Sequence, residues 1–330
     1  MKALALILAG SALIASAVSA TAQTTIRVAG NFAAEHASSL AMEVFRTELE
    51  TLTGGTLVAQ IFPAQQLGGA AENVQGVRIG AIELIWVGTA YLTRTVPELE
   101  ALSLPFQYAN REEAFALADG PVGEALDERL AAHGMTSLGY MELGFRHVTN
   151  NRGPITTMED FNGLRIRLQP NETHLATFRA LGANPLAMDV GELYSALEQG
   201  VIDGQENPFA IINASGYAGV QHYLSNTGHF YDFISVVANR DRLAALSPEH
   251  QQAIRDAMTT AITYQRQLAA EQEMAALTIL QEAGMTYTPV PDELAAAMRE
   301  ATASVADGVA DRIGAEIAAL VAEAMAAAGN

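Results

Sequence analysis

The stretch that most constrains how this chain can fold is residues 161–213, FNGLRIRLQP NETHLATFRA LGANPLAMDV GELYSALEQG VIDGQENPFA IIN. Residues 163–168 alternate with period two and set Arg165 and Arg167 on one face of a short strand. Residues 172–181 predict a helix stopped by Gly182, and 184–188 the next strand. Asp189, followed three residues later by Glu192, predicts a capping-box start for a helix over 192–198 that Gly200 ends. A turn at Asp203–Gly204 leads into Gln205, Glu206, Asn207 and Pro208, and Pro208 suits the first turn of a further helix. The result is a β-α-β-α unit with polar residues at strand ends and turns, where α/β sheets place their ligands.

The flanking segments extend the same alternation. Strands are predicted over 25–30, 56–62 and 82–87, with helices over 38–52 and 70–79 between them, so the sheet is parallel or mixed. Residues 97–106 predict an irregular crossing segment, followed by helices over 111–119 and 121–133. A strand over 135–143 carries the chain into a second domain near Gly144, and a β-rich run over 233–239 returns it. Ser247, Pro248 and Glu249 start a helix that meets no proline or glycine until Gly284; unbroken, it spans roughly 50 Å. A short strand over 285–289 and an alanine-rich helix over 292–327 close the chain. A length of 330 residues suits two domains. The expected division is 23–143 plus 233–272 for the first and 144–232 plus 273–330 for the second.

Charge and compartment exclude several functions. The formal charge is −19, and Lys2 is the only lysine, so neither nucleic acid nor an anionic membrane is an expected partner. There is no cysteine, which removes thiol catalysis, disulfides, cysteine-held metals and a lipid-anchored amino terminus. Residues 1–22 have a secretory signal pattern: Lys2, an apolar run over 3–14, and Ala20-Thr21-Ala22 as the cleavage site. The mature chain is expected to be exported to the periplasm, with no direct membrane insertion. No nucleophile elbow, zinc-protease helix, phosphate loop or dinucleotide fingerprint is present, so an enzyme is not expected and no cofactor is called for.

Arg146, Arg152, Arg165 and Arg167 fall within 22 residues, offset there only by Glu159 and Asp160. In so acidic a chain this is a candidate anion seat, and guanidinium suits a carboxylate because its planar fork makes two parallel hydrogen bonds. The runs GLRIR, LGANP, ELYSALEQGVIDGQENP, LSLPF (102–106) and FPAQQLG (62–68) resemble the DctP-type solute-binding proteins of TRAP transporters, over nearly the whole mature chain. The resemblance implies a two-domain, type II-like periplasmic binding fold with interwoven domains and a long helix lying across both. It also implies a small organic acid as ligand, TRAP membrane permease subunits as partners, and closure of the domains on the ligand. By the same resemblance Arg167 matches the arginine that clamps the ligand carboxylate. Arg146, in GFRHVTNNR, matches a second ligand-facing arginine, and Asn207, in GQENP, a ligand-contacting asparagine. A sensory receptor for an organic acid would share this fold, and a periplasmic enzyme is the remaining alternative.

Further candidates come from position. Asn31 follows the first strand; Trp86, the only tryptophan, ends the third and is either core or a wall of the cleft. Glu72 either accepts from ligand hydroxyls or sits at the first turn of its helix; Gln169 and Asn171 follow the Arg167 strand. Gly88 and Val190 stand where sialic-acid members of the family carry an acid and an aromatic, which argues against that ligand. These groups favour a hydroxylated monocarboxylate, a uronate or aldonate, with a C4-dicarboxylate next. In the dicarboxylate case Arg146 is the second cationic seat.

Overall fold

The computed structural model of the protein describes residues 23–328; the expected signal peptide lies outside them. In chain order the first elements are β1 (Thr24–Gly30), α1 (Ala37–Thr53), β2 (Leu57–Phe62), α2 (Ala70–Arg78) and β3 (Leu84–Gly88). Then come α3 (Arg111–Ala118), α4 (Pro121–Ala132), β4 (Met135–Asn150), β5 (Arg165–Leu168), α5 (Glu172–Ala180), β6 (Asn184–Ala187) and α6 (Val190–Glu198). They are followed by β7 (Gly204–Asn207), α7 (Phe209–Ala214), β8 (Tyr223–Asn239), α8 (Arg240–Ala244), α9 (Pro248–Glu282), β9 (Thr286–Pro289) and α10 (Asp292–Ala328).

All strands join one mixed sheet in the order β2-β1-β3-β8-β4-β7-β5-β6, with β9 on the outer side of β8. β1 pairs in parallel with β2 and β3, and β5 in parallel with β6 and β7. Between these two parallel groups run β4 and β8, antiparallel to each other. The C-terminal part of β8 pairs with β3, and the C-terminal part of β4 pairs with β7. The two longest strands thus pass through both halves of the sheet. Their register shifts at Ser137/Gly139 and Glu142/Gly144, where β4 carries an extra residue, and again between Arg146 and Val148, where the longer stretch lies on β8. Gly139 and Gly144 have φ of 117° and 112°, in the region that favours glycine.

One core cluster (Val148, Phe161, Ile166, Phe178, Met298) belongs to the β5 half. Another (Val74, Val87, Leu99, Leu126, Val237) belongs to the β1 half. A third, under α9, includes residues of both: Phe45, Trp86, Leu193, Ile211 and Ala257. α9 runs from Pro248 to Glu282 without a break, capped by Ser247 accepting from the His250 N–H, as its proline-started sequence predicts. At its middle the Gln265 side chain accepts from the Glu142 N–H (2.9 Å) and donates to the Glu142 carbonyl (2.8 Å), beside a strand bulge. α10 kinks at Gly314. Its Arg312 ties Glu100 (2.7 Å) to Thr173 (3.0 Å), one residue from each half, so this helix is shared between them.

Three local expectations are corrected. β4 does not end near Gly144 but runs to Asn150, because a bulge interrupts the alternation and not the strand. β8 begins at Tyr223, ten residues before the apolar run that signals it. The polar run that follows the expected Asp203–Gly204 turn is strand β7, whose Gln205, Glu206 and Asn207 are buried; a polar core strand has no hydrophobic period to betray it. In addition α6 starts at Val190, with Asp189 accepting from the Gly191 N–H rather than through a capping box.

Candidate functional site

A cavity of about 240 Å³ opens between the two halves of the sheet. The β1 half lends Asn31, Phe32, His36, Gln65 and Tyr91; the β5 half lends Arg167, Gln169, Asn207 and the Tyr194, Ser215 and Tyr217 side of α6 and α7. β1 ends at Gly30, so Asn31 sits at its C-terminal mouth; β5 ends at Leu168, so Arg167 and Gln169 flank its own.

Arg167 is 1% exposed, yet among the described residues it forms no ion pair. Its Nε donates to the Met188 carbonyl (2.9 Å) and its Nη2 to the Tyr91 hydroxyl (2.9 Å). The same hydroxyl oxygen accepts from the Val190 N–H (3.1 Å), so both its lone pairs are taken and its own proton is left to donate. A buried guanidinium without a counter-charge is costly unless an anion completes it. The seat therefore presents a fixed cation beside a hydroxyl donor.

Arg146 is as deeply buried and electrostatically satisfied. Its Nη2 donates to Glu206 Oε1 (2.7 Å) and to the Glu206 carbonyl (2.7 Å), and its Nη1 lies 3.4 Å from Asp232 Oδ2. Burial alone would raise the Glu206 carboxyl, but the charge and hydrogen bonds of Arg146 and His229 hold it well below its usual range. For Asp232 burial wins over Arg146 and the carboxyl is pushed up. Arg146 is not among the cavity-lining residues. Two acids, Glu206 and Asp232, already lie at its guanidinium.

The pair works through its neighbours. Arg146 donates to Asn207 Oδ1 (3.2 Å), fixing the orientation of that amide at the cavity wall. Asp232 accepts from Gln169 Nε2 (2.8 Å), which fixes the amide of that cavity-lining residue. A Cβ on Gly88 would sit 2.9 Å from Gln169 Oε1, so a larger residue there would displace that amide. Asn31 is 6% exposed, and neither atom of its amide has a partner.

Of the other sequence candidates, Trp86 lies in the core, edge-on to Phe45, and not on the cavity. Glu72 accepts from the Gly69 N–H (2.9 Å) and caps α2, and Asn171 accepts from the His174 N–H (2.9 Å) and caps α5; neither lines the cavity. The sequence reading missed Tyr91, Gln65, His36 and the tyrosines of α6 and the α7 turn. Only His36, six residues past the end of β1, carried a positional signal comparable to that of Asn31. Among the described residues no three acids or histidines group as a metal would require, and no helix is long and apolar enough to cross a membrane.

Residues 28–312 match the bacterial extracellular solute-binding protein family 7 (DctP). The chain is 34% identical to the 2,3-diketo-L-gulonate-binding periplasmic protein YiaO of Escherichia coli, covering 85% of each. It is 30% identical to the C4-dicarboxylate-binding periplasmic protein DctP of Rhodobacter capsulatus, covering 86% of this chain and 85% of that one. The crystal structure of the sugar acid binding protein DctPAm of Advenella mimigardefordensis in complex with galactonate superimposes with a TM-score of 0.90. Identity there is 30%, over 93% of this chain and 99% of that one.

Proposed function

Since the chain belongs to family 7 of the bacterial extracellular solute-binding proteins, the receptors of TRAP transporters and not enzymes, we propose that it captures a hydroxylated monocarboxylate, a uronate or aldonate. It would deliver that ligand from the periplasm to the membrane permease subunits. The observation that carries the choice is the contrast between the two buried arginines: Arg167 faces the cavity without an acid, whereas Arg146 is held by Glu206 and Asp232. One open cationic seat takes one carboxylate.

The remaining wall favours hydroxyls over a second acid. Asn31 Oδ1 is a buried acceptor that needs a donor, which a sugar hydroxyl has and a carboxylate lacks. Left unpaired in a buried site, such a group discriminates strongly against the wrong ligand. The carboxylate docks on Arg167 and Tyr91 of opposite halves, hydroxyls engage Asn31, Gln169 and Asn207, and closure follows because these contacts coexist only when the halves meet. The two lobes proposed here part at the middle of β4 and β8, with α9 and α10 bridging them.

A melting screen of glucuronate, galacturonate, gluconate, succinate, malate and fumarate tests the ligand class. A sugar acid at 100 times its dissociation constant should add about 2.7 kcal/mol of stability. If only the dicarboxylates raise the melting temperature, the sugar-acid assignment is wrong.

A further inference from the structure

His36 stands at the cavity wall in the β1 half, 2% exposed, and caps α1. Its Nδ1 accepts from the Ser38 N–H (3.2 Å) and lies 2.8 Å from the Ser38 hydroxyl. A backbone N–H can only donate, so Nδ1 must be the bare nitrogen, and the ring proton resides on Nε2. The ring stacks on Phe32 at 4.9 Å between centroids and 25° between planes, which fixes the direction of that proton. Among the described residues Nε2 donates to nothing. Asn31, in the same wall, likewise has both amide atoms unpartnered.

Resting on the reading of the cavity as a sugar-acid site, we propose that His36 is a specificity-determining ligand residue, a neutral donor that with Asn31 reads the hydroxyls of the ligand beyond its carboxylate. Burial holds the imidazole at a pKa of about 4, so it is uncharged at neutral pH. It therefore supplies a hydrogen bond without supplying a second cation, and a second carboxylate would meet no compensating charge at this wall. Asn31 complements it: the amide gives one donor and one acceptor, which a pair of neighbouring hydroxyls satisfies together.

The test separates ligand reading from helix capping. Asparagine is a strong N-cap, so His36→Asn keeps the bond to the Ser38 N–H and removes the Nε2 donor. Calorimetry would compare wild type and His36→Asn with gluconate, galactonate and galacturonate, and with the singly deoxygenated gluconates. Expected is a melting temperature of the free protein unchanged by the substitution and about tenfold weaker binding of the preferred sugar acid. On the one deoxy analogue that lacks the hydroxyl read by His36, wild type and variant should bind alike. Equal affinity of variant and wild type for every ligand overturns the proposal, and so does a loss of the same size on every deoxy analogue. Wild-type protein that binds none of the hydroxy acids overturns the sugar-acid reading and this inference with it.

Discussion

Arg167 meets the cavity with its Nε tied to the Met188 carbonyl and its Nη2 on Tyr91, so its guanidinium plane is set before any anion arrives. Lysine at this position would keep the charge and lose the fork. Arg167→Lys should weaken binding of the native ligand by roughly 2–5 kcal/mol, as for a desolvated ion pair. Calorimetry decides, and an affinity within about threefold of wild type would remove the clamp role. The residue types of the site were legible in sequence, since Arg167, Asn31, Gln169 and Asn207 all reach the cavity. Their partners were not. Arg146 is neutralised by Glu206 and Asp232, which lie 60 and 86 positions away in the chain, and only the sheet brings them together. Glu72 and Asn171 illustrate the opposite difficulty, because a polar residue near a helix start satisfies capping as readily as ligand binding.

Among the elements, α9 joins the two cavity walls through adjacent side chains. Gln272 accepts from the Ala37 N–H (2.9 Å) and donates to the Glu35 carbonyl (2.9 Å) at the start of α1. Glu273 accepts from the Phe209 and Ala210 N–H groups (3.2 and 2.9 Å) at the start of α7. Burial raises the Glu273 carboxyl from 4.5 to about 7 despite those two donors. A carboxyl raised in the folded state stabilises most while it is protonated in both states. Its contribution is full below about pH 4.5 and is lost as pH climbs through about 7. Glu273→Gln does not titrate, so the melting temperature of the variant should gain on wild type between pH 5 and pH 8. Parallel curves over that interval would exclude the linkage. α9 itself was legible because a capped, proline-started run without breakers has one good solution. β7 was hidden because all of its side chains that matter are polar.

At the scale of the molecule, the proposed carboxylate seat and hydroxyl-reading wall lie in opposite halves, and one ligand would reach both only if the halves approach. Ligand should lower the radius of gyration in small-angle scattering, and identical radii with and without ligand would count against closure. The α/β class and the long bridging helix followed from local patterns. The sharing of α10 did not, since Arg312 finds Glu100 and Thr173 across more than a hundred residues of chain. The paired β4 and β8 that cross the middle, offset at three places, have a mechanical consequence. A loop hinge lets its domains wander, whereas a two-stranded ribbon is compliant about one axis and stiff against shear. The protein is then less a pair of jaws on a string than a sprung tweezer. On the proposed two-lobe reading, its arms would return along one path each time the ligand leaves.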